Sequence, residues 1–142
     1  MERIYQKIGR IREYHALVSS LEDNCLERLN ADPIYRGALL HYLYLLADSC
    51  VSLAELVIKH RKLRLPQSYH EAFDILGEQG LLDSSFAYDF ARIAGSRTFL
   101  AHDYERTDPR FICEQILSKL DDVHSFLEQI ERALGALPST AS

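Results

Sequence analysis

At 142 residues, with hydrophobic residues at 47% and charged residues at 26%, the chain has the size and balance of one globular domain spanning 1–142, able to bury a core without a disulfide frame or structural metal. Its formal net charge of −5 excludes a protein that coats nucleic acid non-specifically, since that mode neutralises many phosphates with Lys and Arg. No run reaches the roughly 18–20 uninterrupted apolar residues of a membrane span, and Met1-Glu2-Arg3-Ile4-Tyr5-Gln6-Lys7 lacks a signal peptide's apolar centre, so a soluble, cytoplasmic protein is expected.

Helical periodicity runs along the whole chain. Ile4, Ile8, Ile11, Val18, Leu21 and Cys25 recur at three- and four-residue steps and predict a first helix from about Glu2 to Leu29, closed by Asn30-Ala31-Asp32. Asp32-Pro33 is a cap followed by a first-turn proline, so a second long helix starts there and runs to about Arg64, before Leu65-Pro66. Ser68 and Glu71 have capping-box spacing and open a short third helix ending at Gly80. A fourth helix begins near Asp83 or Ser84 and ends around Tyr104 to Arg106. Asp108-Pro109 repeats the cap-proline signal and opens a fifth helix, striped by Phe111, Ile116, Leu120, Val123, Leu127, Ile130 and Leu134 and ended by Gly135 and Pro138. Ser139 to Ser142 are expected to fray. Short connections between such helices imply an all-α antiparallel bundle of four to five helices.

Cys25, Cys50 and Cys113 lie far apart within predicted helices and are read as buried thiols. The run Lys59-His60-Arg61-Lys62-Leu63-Arg64 is the one dense cluster of cations. It is read as the solvated C-terminal end of the second helix, where cations complement the macrodipole, in preference to an RNA patch. The carboxylates and histidines show no metal-ligand spacing, although His41, His60 and His70 could converge in the fold.

The chemistry concentrates in Arg97-Thr98-Phe99-Leu100-Ala101-His102-Asp103-Tyr104, an R-x-x-x-x-H-x-Y arrangement on the fourth helix. Arginine offers a permanent cation with a forked donor set suited to phosphate, and histidine titrates nearest neutrality. Together they suit phosphodiester cleavage without a metal. At about 100° per residue, Arg97 and Tyr104 fall on the apolar stripe of Phe86, Phe90, Ile93, Leu100 and Ala101. An arginine facing a core needs a partner, and Asp48 or Glu55 on the second helix can supply it; Asp48 is named as a possible partner that orients the guanidinium. Positions 97 and 102 point about 140° apart on a regular helix. A distorted last turn, an arginine side chain that bends back, or a two-fold axis that brings two copies of this helix end into one cleft each closes that separation; the two-fold axis is favoured, so a homodimer is expected. Taken singly, Arg97 reads as a structural ion pair, His102 as a capping or surface residue and Tyr104 as core; their joint spacing favours a site.

That segment resembles the R-x(4–6)-H-x-Y signature of HEPN-domain proteins. The HepT-like branch is the most similar, in size and in its long first and second helices. Leu45 to Ile58 is similar to that branch's second helix, and Leu65-Pro66-Gln67-Ser68-Tyr69 followed by Phe73 and Leu76 is similar to its interhelix turn. The resemblance implies a HEPN-type bundle acting as the toxin of a type VII toxin–antitoxin system. It also implies a homodimeric, metal-independent endoribonuclease without a cofactor, in which His102 serves as acid or base and Arg97 stabilises the phosphorane. It further implies a partner, a minimal nucleotidyltransferase antitoxin of the MntA type, which silences the toxin by adding AMP to Tyr104. The alternatives are a non-catalytic HEPN module that binds a nucleotidyltransferase, and a purely structural dimerisation bundle.

Overall fold

The computed structural model describes residues 1–102 and 108–135, without the side chains of Phe99, Ala101 and His102. Every described element is helical. In chain order these are α1 (Glu2–Ser20), α2 (Cys25–Ala31), α3 (Pro33–His60), α4 (Tyr69–Glu78), α5 (Ser84–Ala94), α6 (Ser96–His102), a π-helical stretch over Phe111–Ile116, a 3-10 turn over Leu117–Lys119, and α7 (Leu120–Ala133).

α3 is the axis of the bundle and packs against α1, α2, α4, α5 and α6. It is long and apolar enough to cross a bilayer by length and composition, with a mean hydropathy of 1.3 in its best window. Half of that window is buried against its neighbours, the pattern of a core helix that is apolar on more than one side. Across the bundle, Phe73 of α4, Phe90 of α5 and Phe126 of α7 meet with ring centroids 4.8–5.8 Å apart. Edge-on and offset contacts of this kind add to the burial of three fully enclosed rings.

The helix starts follow from local chemistry. The Asp32 carboxylate accepts from the amides of Ile34 and Tyr35 at 3.0 and 3.2 Å, with Pro33 in the first turn of α3. Ser68 Oγ accepts from Glu71 N at 3.1 Å, and Asp83 Oδ2 from Phe86 N at 3.0 Å. Asp108 Oδ1 accepts from Arg110 N at 3.0 Å. Gly80, with φ +75°, turns the chain out of α4.

Continuity differs from expectation in three places. The first helix is two, α1 and α2, because Leu21–Asn24 turns and Asn24 adopts φ 57°, a conformation asparagine tolerates better than most residues. The Tyr35 hydroxyl donates to the Leu21 carbonyl and so caps the end of α1. The fourth helix is also two, α5 and α6, joined at Gly95, where a Cβ would lie 2.4 Å from the Tyr69 hydroxyl oxygen. In the fifth, the π-helical stretch shifts the register, so that Ile112 is fully buried while Phe111, counted in the expected stripe, is 44% exposed.

The cysteines also depart from expectation. Cys25 of α2 and Cys113 of the π-helical stretch form a disulfide with Cα atoms 6.0 Å apart; only Cys50 remains a buried thiol, its acidity suppressed by burial. Eighty-eight residues separate the pair in sequence, so no local spacing announces it. A disulfide fits poorly with the expected cytoplasmic setting, where thiols are kept reduced. The basic run divides as well: α3 ends at His60, Lys62 has φ 56°, Arg61 donates to the Ala133 carbonyl at 2.6 Å, and Arg64 pairs with Glu78 at 2.8 Å.

Candidate active site

α6 lies on α3, and the contact between them brings Arg97 to Asp48. Arg97 Nη1 donates to Asp48 Oδ1 at 3.0 Å, with 32% and 39% of the respective side chains exposed. The pair therefore sits at the rim of the bundle, where solvent screens it and its net contribution to stability is small. A guanidinium has five N–H donors in a planar fork. Holding one nitrogen on Asp48 restrains where the group sits, while the exposed part stays open to a second anion.

Tyr69, the first residue of α4, forms a third element of this corner. Its ring centroid is 6.0 Å from Arg97 Cζ, at the outer limit of a cation–π contact. The absence of a side chain at Gly95 allows that position. Tyr69 is marked in the sequence only as part of the interhelix turn, and Gly95 not at all, although a glycine interrupting a helical pattern is the signal that could have marked a close approach. Glu55, the other candidate partner for Arg97, instead lines a groove with Arg3 and Lys7.

His102 is the last residue of α6, and its side chain lies outside the described residues. Tyr104 lies outside the described residues. Arg97 and His102 thus share one helix of seven residues, five positions apart. Among the described residues, no group of three or more histidine, cysteine or acidic side chains converges into a set that could hold a metal ion.

A second polar feature lies on the opposite helices. His15 of α1 is buried, and its Nε2 is 3.0 Å from the Leu120 carbonyl at the start of α7, which makes Nε2 the protonated nitrogen. Its ring centroid is 4.0 Å from that of His124. Burial, reinforced by His124, lowers the pKa of His15 below its ordinary value, against the opposing effects of the Leu120 carbonyl, Asp121 and Glu22.

A model of the family described as ribonuclease HepT-like matches residues 4–130. The chain belongs to that family. It is 21% identical over 84 residues to the mRNA nuclease HepT of Shewanella oneidensis, an alignment that spans 59% of this chain and 63% of that protein. Its fold is similar to that of a tri-AMPylated Shewanella oneidensis HEPN toxin in complex with an MNT antitoxin, with a TM-score of 0.81, 19% identity, and coverage of 91% of this chain and 96% of that one. It is also similar to a toxin–antitoxin complex with AMP-PNP, with a TM-score of 0.80, 17% identity, and coverage of 93% and 99%. The helical bundle expected from periodicity is therefore the HEPN fold.

Proposed function

We propose that this chain is the toxin of a type VII toxin–antitoxin pair and a metal-independent endoribonuclease working as a homodimer. The observation that carries this reading is the Arg97–Asp48 pair, which presents an oriented, partly exposed guanidinium on the same short helix as His102, in a chain of the HepT-like family.

In this reading, one base removes the proton from a ribose 2′-hydroxyl and O2′ attacks the adjacent phosphorus. The equatorial oxygens then carry extra negative charge, which Arg97 stabilises as an electrostatic clamp. The P–O5′ bond breaks, an acid protonates the leaving oxygen, and the products are a 2′,3′-cyclic phosphate and a 5′-hydroxyl. His102 fills the base or acid role, because its ordinary pKa lies close to the working pH. The second histidine position of the dimer cleft supplies the complementary role.

Tyr104 is the regulatory position of the proposal. A minimal nucleotidyltransferase would transfer AMP from ATP to its hydroxyl, releasing pyrophosphate. The resulting phosphodiester adds negative charge seven positions along the chain from Arg97 and would compete with RNA for that cation. The similarity to a tri-AMPylated HEPN toxin bound to its antitoxin supports this part of the reading.

Co-expression with the partner nucleotidyltransferase tests the regulation. The intact mass is expected to rise by about 329 Da per AMP unit, localised to Tyr104, with loss of RNA cleavage. An unchanged mass in a chain that is inert towards RNA would favour the non-catalytic binding module instead.

A further inference from the structure

Asp48, Ser52, Glu55 and Lys59 follow one another on α3 at steps of four, three and four residues, so they share one face of the helix. Asp48, at one end of this row, holds Arg97. The other three line a groove between α3 and α1, together with Arg3, Lys7 and Leu56. From Asp48 to Lys59 the row runs about 16 Å at the rise of an α-helix. A single strand lying along it would reach the groove within a few nucleotides of Arg97.

The groove carries a local excess of positive charge. Three cations and one carboxylate line it, in a chain whose net charge is −5. Arg3, Lys7 and Lys59 take part in no ion pair among the described residues. Arg61 and Arg64, from the same basic run as Lys59, are committed to the Ala133 carbonyl and to Glu78. Clustered, unpaired cations repel one another, and a polyanion laid between them relieves that repulsion while releasing its own counterions.

We propose that this groove is a subsite for the RNA strand flanking the cleaved bond, with Arg3, Lys7 and Lys59 on successive backbone phosphates and the Ser52 hydroxyl as an additional donor. The inference rests on the ribonuclease reading above and extends it away from the reacting phosphate. Glu55 only accepts hydrogen bonds when ionised; it repels a phosphate at its own position and suits a ribose hydroxyl.

The test is equilibrium binding of a short single-stranded RNA across a salt series, in a His102→Ala background that suppresses cleavage. Replacing Arg3, Lys7 and Lys59 together by Gln is expected to weaken binding and to lower the slope of log affinity against log salt by about 2, at roughly 0.7 per phosphate contact on a single strand. Glu55→Gln is expected to act in the opposite direction and tighten binding. The double variant Arg10→Gln/Arg132→Gln, which removes two exposed cations outside the groove, is expected to leave the slope unchanged. A triple variant with the parent slope, or a control that loses as much, overturns the proposal. A triple variant that keeps RNA affinity but loses the nucleotidyltransferase also overturns it and assigns the groove to that protein. Binding is read without cleavage, so a native chain that binds RNA with the expected slope yet cuts none supports the groove while removing the nuclease reading. A native chain that binds no RNA overturns both.

Discussion

Arg97 and Asp48 meet at 3.0 Å across the α6–α3 contact with about a third of each side chain still open to solvent. That degree of exposure separates two roles. A buried pair would be a structural element whose disruption leaves an uncompensated charge in the core. A rim pair stabilises the fold little and instead fixes where a cation points.

For Asp48→Asn, the expected result is a kcat reduced by roughly tenfold, in the range that misplacing a reacting group produces, with stability changed by no more than about 1 kcal/mol. KM should move less than kcat. In an Arg97→Ala background the same substitution should have no further effect on kcat. Steady-state kinetics on the four proteins of this cycle, with urea unfolding of each, check it; additive losses would make Asp48 a bystander.

Much of the architecture was legible because it is local. Asp32-Pro33, Ser68 with Glu71, Asp83 and Asp108 each act on amides within three residues of themselves, and each caps a helix as its spacing suggests. Asp48 could be named beside Arg97 because two helical faces sufficed to bring them close. What escaped is set by contacts between distant segments. The turn at Leu21–Asn24 is completed by Tyr35, and the joint at Gly95 depends on Tyr69. The Cys25–Cys113 bond depends on α2 lying beside the π-helical stretch. Periodicity along one helix carries none of this information.

Gly95→Ala should reveal the Tyr69 contact by a change of sign. Alanine favours a helix over glycine by about 1 kcal/mol, yet a Cβ here meets the Tyr69 hydroxyl oxygen at 2.4 Å. The substitution is expected to lower stability by about 1 kcal/mol in the native background, where overpacking dominates. In a Tyr69→Ala background it is expected to be neutral or stabilising. Chemical denaturation of the four proteins measures both, and a loss of equal size in both backgrounds would contradict the contact.

The disulfide predicts a redox-dependent stability. Joining residues 88 apart restricts the unfolded chain; disulfides contribute typically about 2–4 kcal/mol, and loop-closure entropy puts a loop this long at the upper end or slightly above. The melting temperature should fall on reduction of the native chain and be insensitive to reductant in Cys25→Ser. Identical melting with and without reductant in the native chain, with alkylation confirming the redox state, would contradict it.

His15 gives stability a pH dependence of definite sign. Its folded pKa is lowered from 6.5, so the unfolded chain takes up a proton that the folded chain resists. Stability is thus full above 6.5, declines as pH falls below that value, and levels off once the folded form is also protonated. His15→Gln retains a donor towards the Leu120 carbonyl but does not titrate. Its stability profile is expected to be flatter than that of the native chain over the same window; parallel profiles would remove His15 from the account.

The central claim is that Arg97 and His102 cut RNA without a metal. Purified native chain, Arg97→Ala and His102→Ala, each shown to be folded, should be incubated with single-stranded RNA in excess chelator and the product ends identified. The account expects 2′,3′-cyclic phosphate ends from the native chain, and cleavage reduced about 100- to 1,000-fold by Arg97→Ala, the scale of losing one transition-state donor. His102→Ala should lose cleavage to a similar or greater degree. Undiminished cleavage by His102→Ala, free of contaminating nuclease, would contradict it.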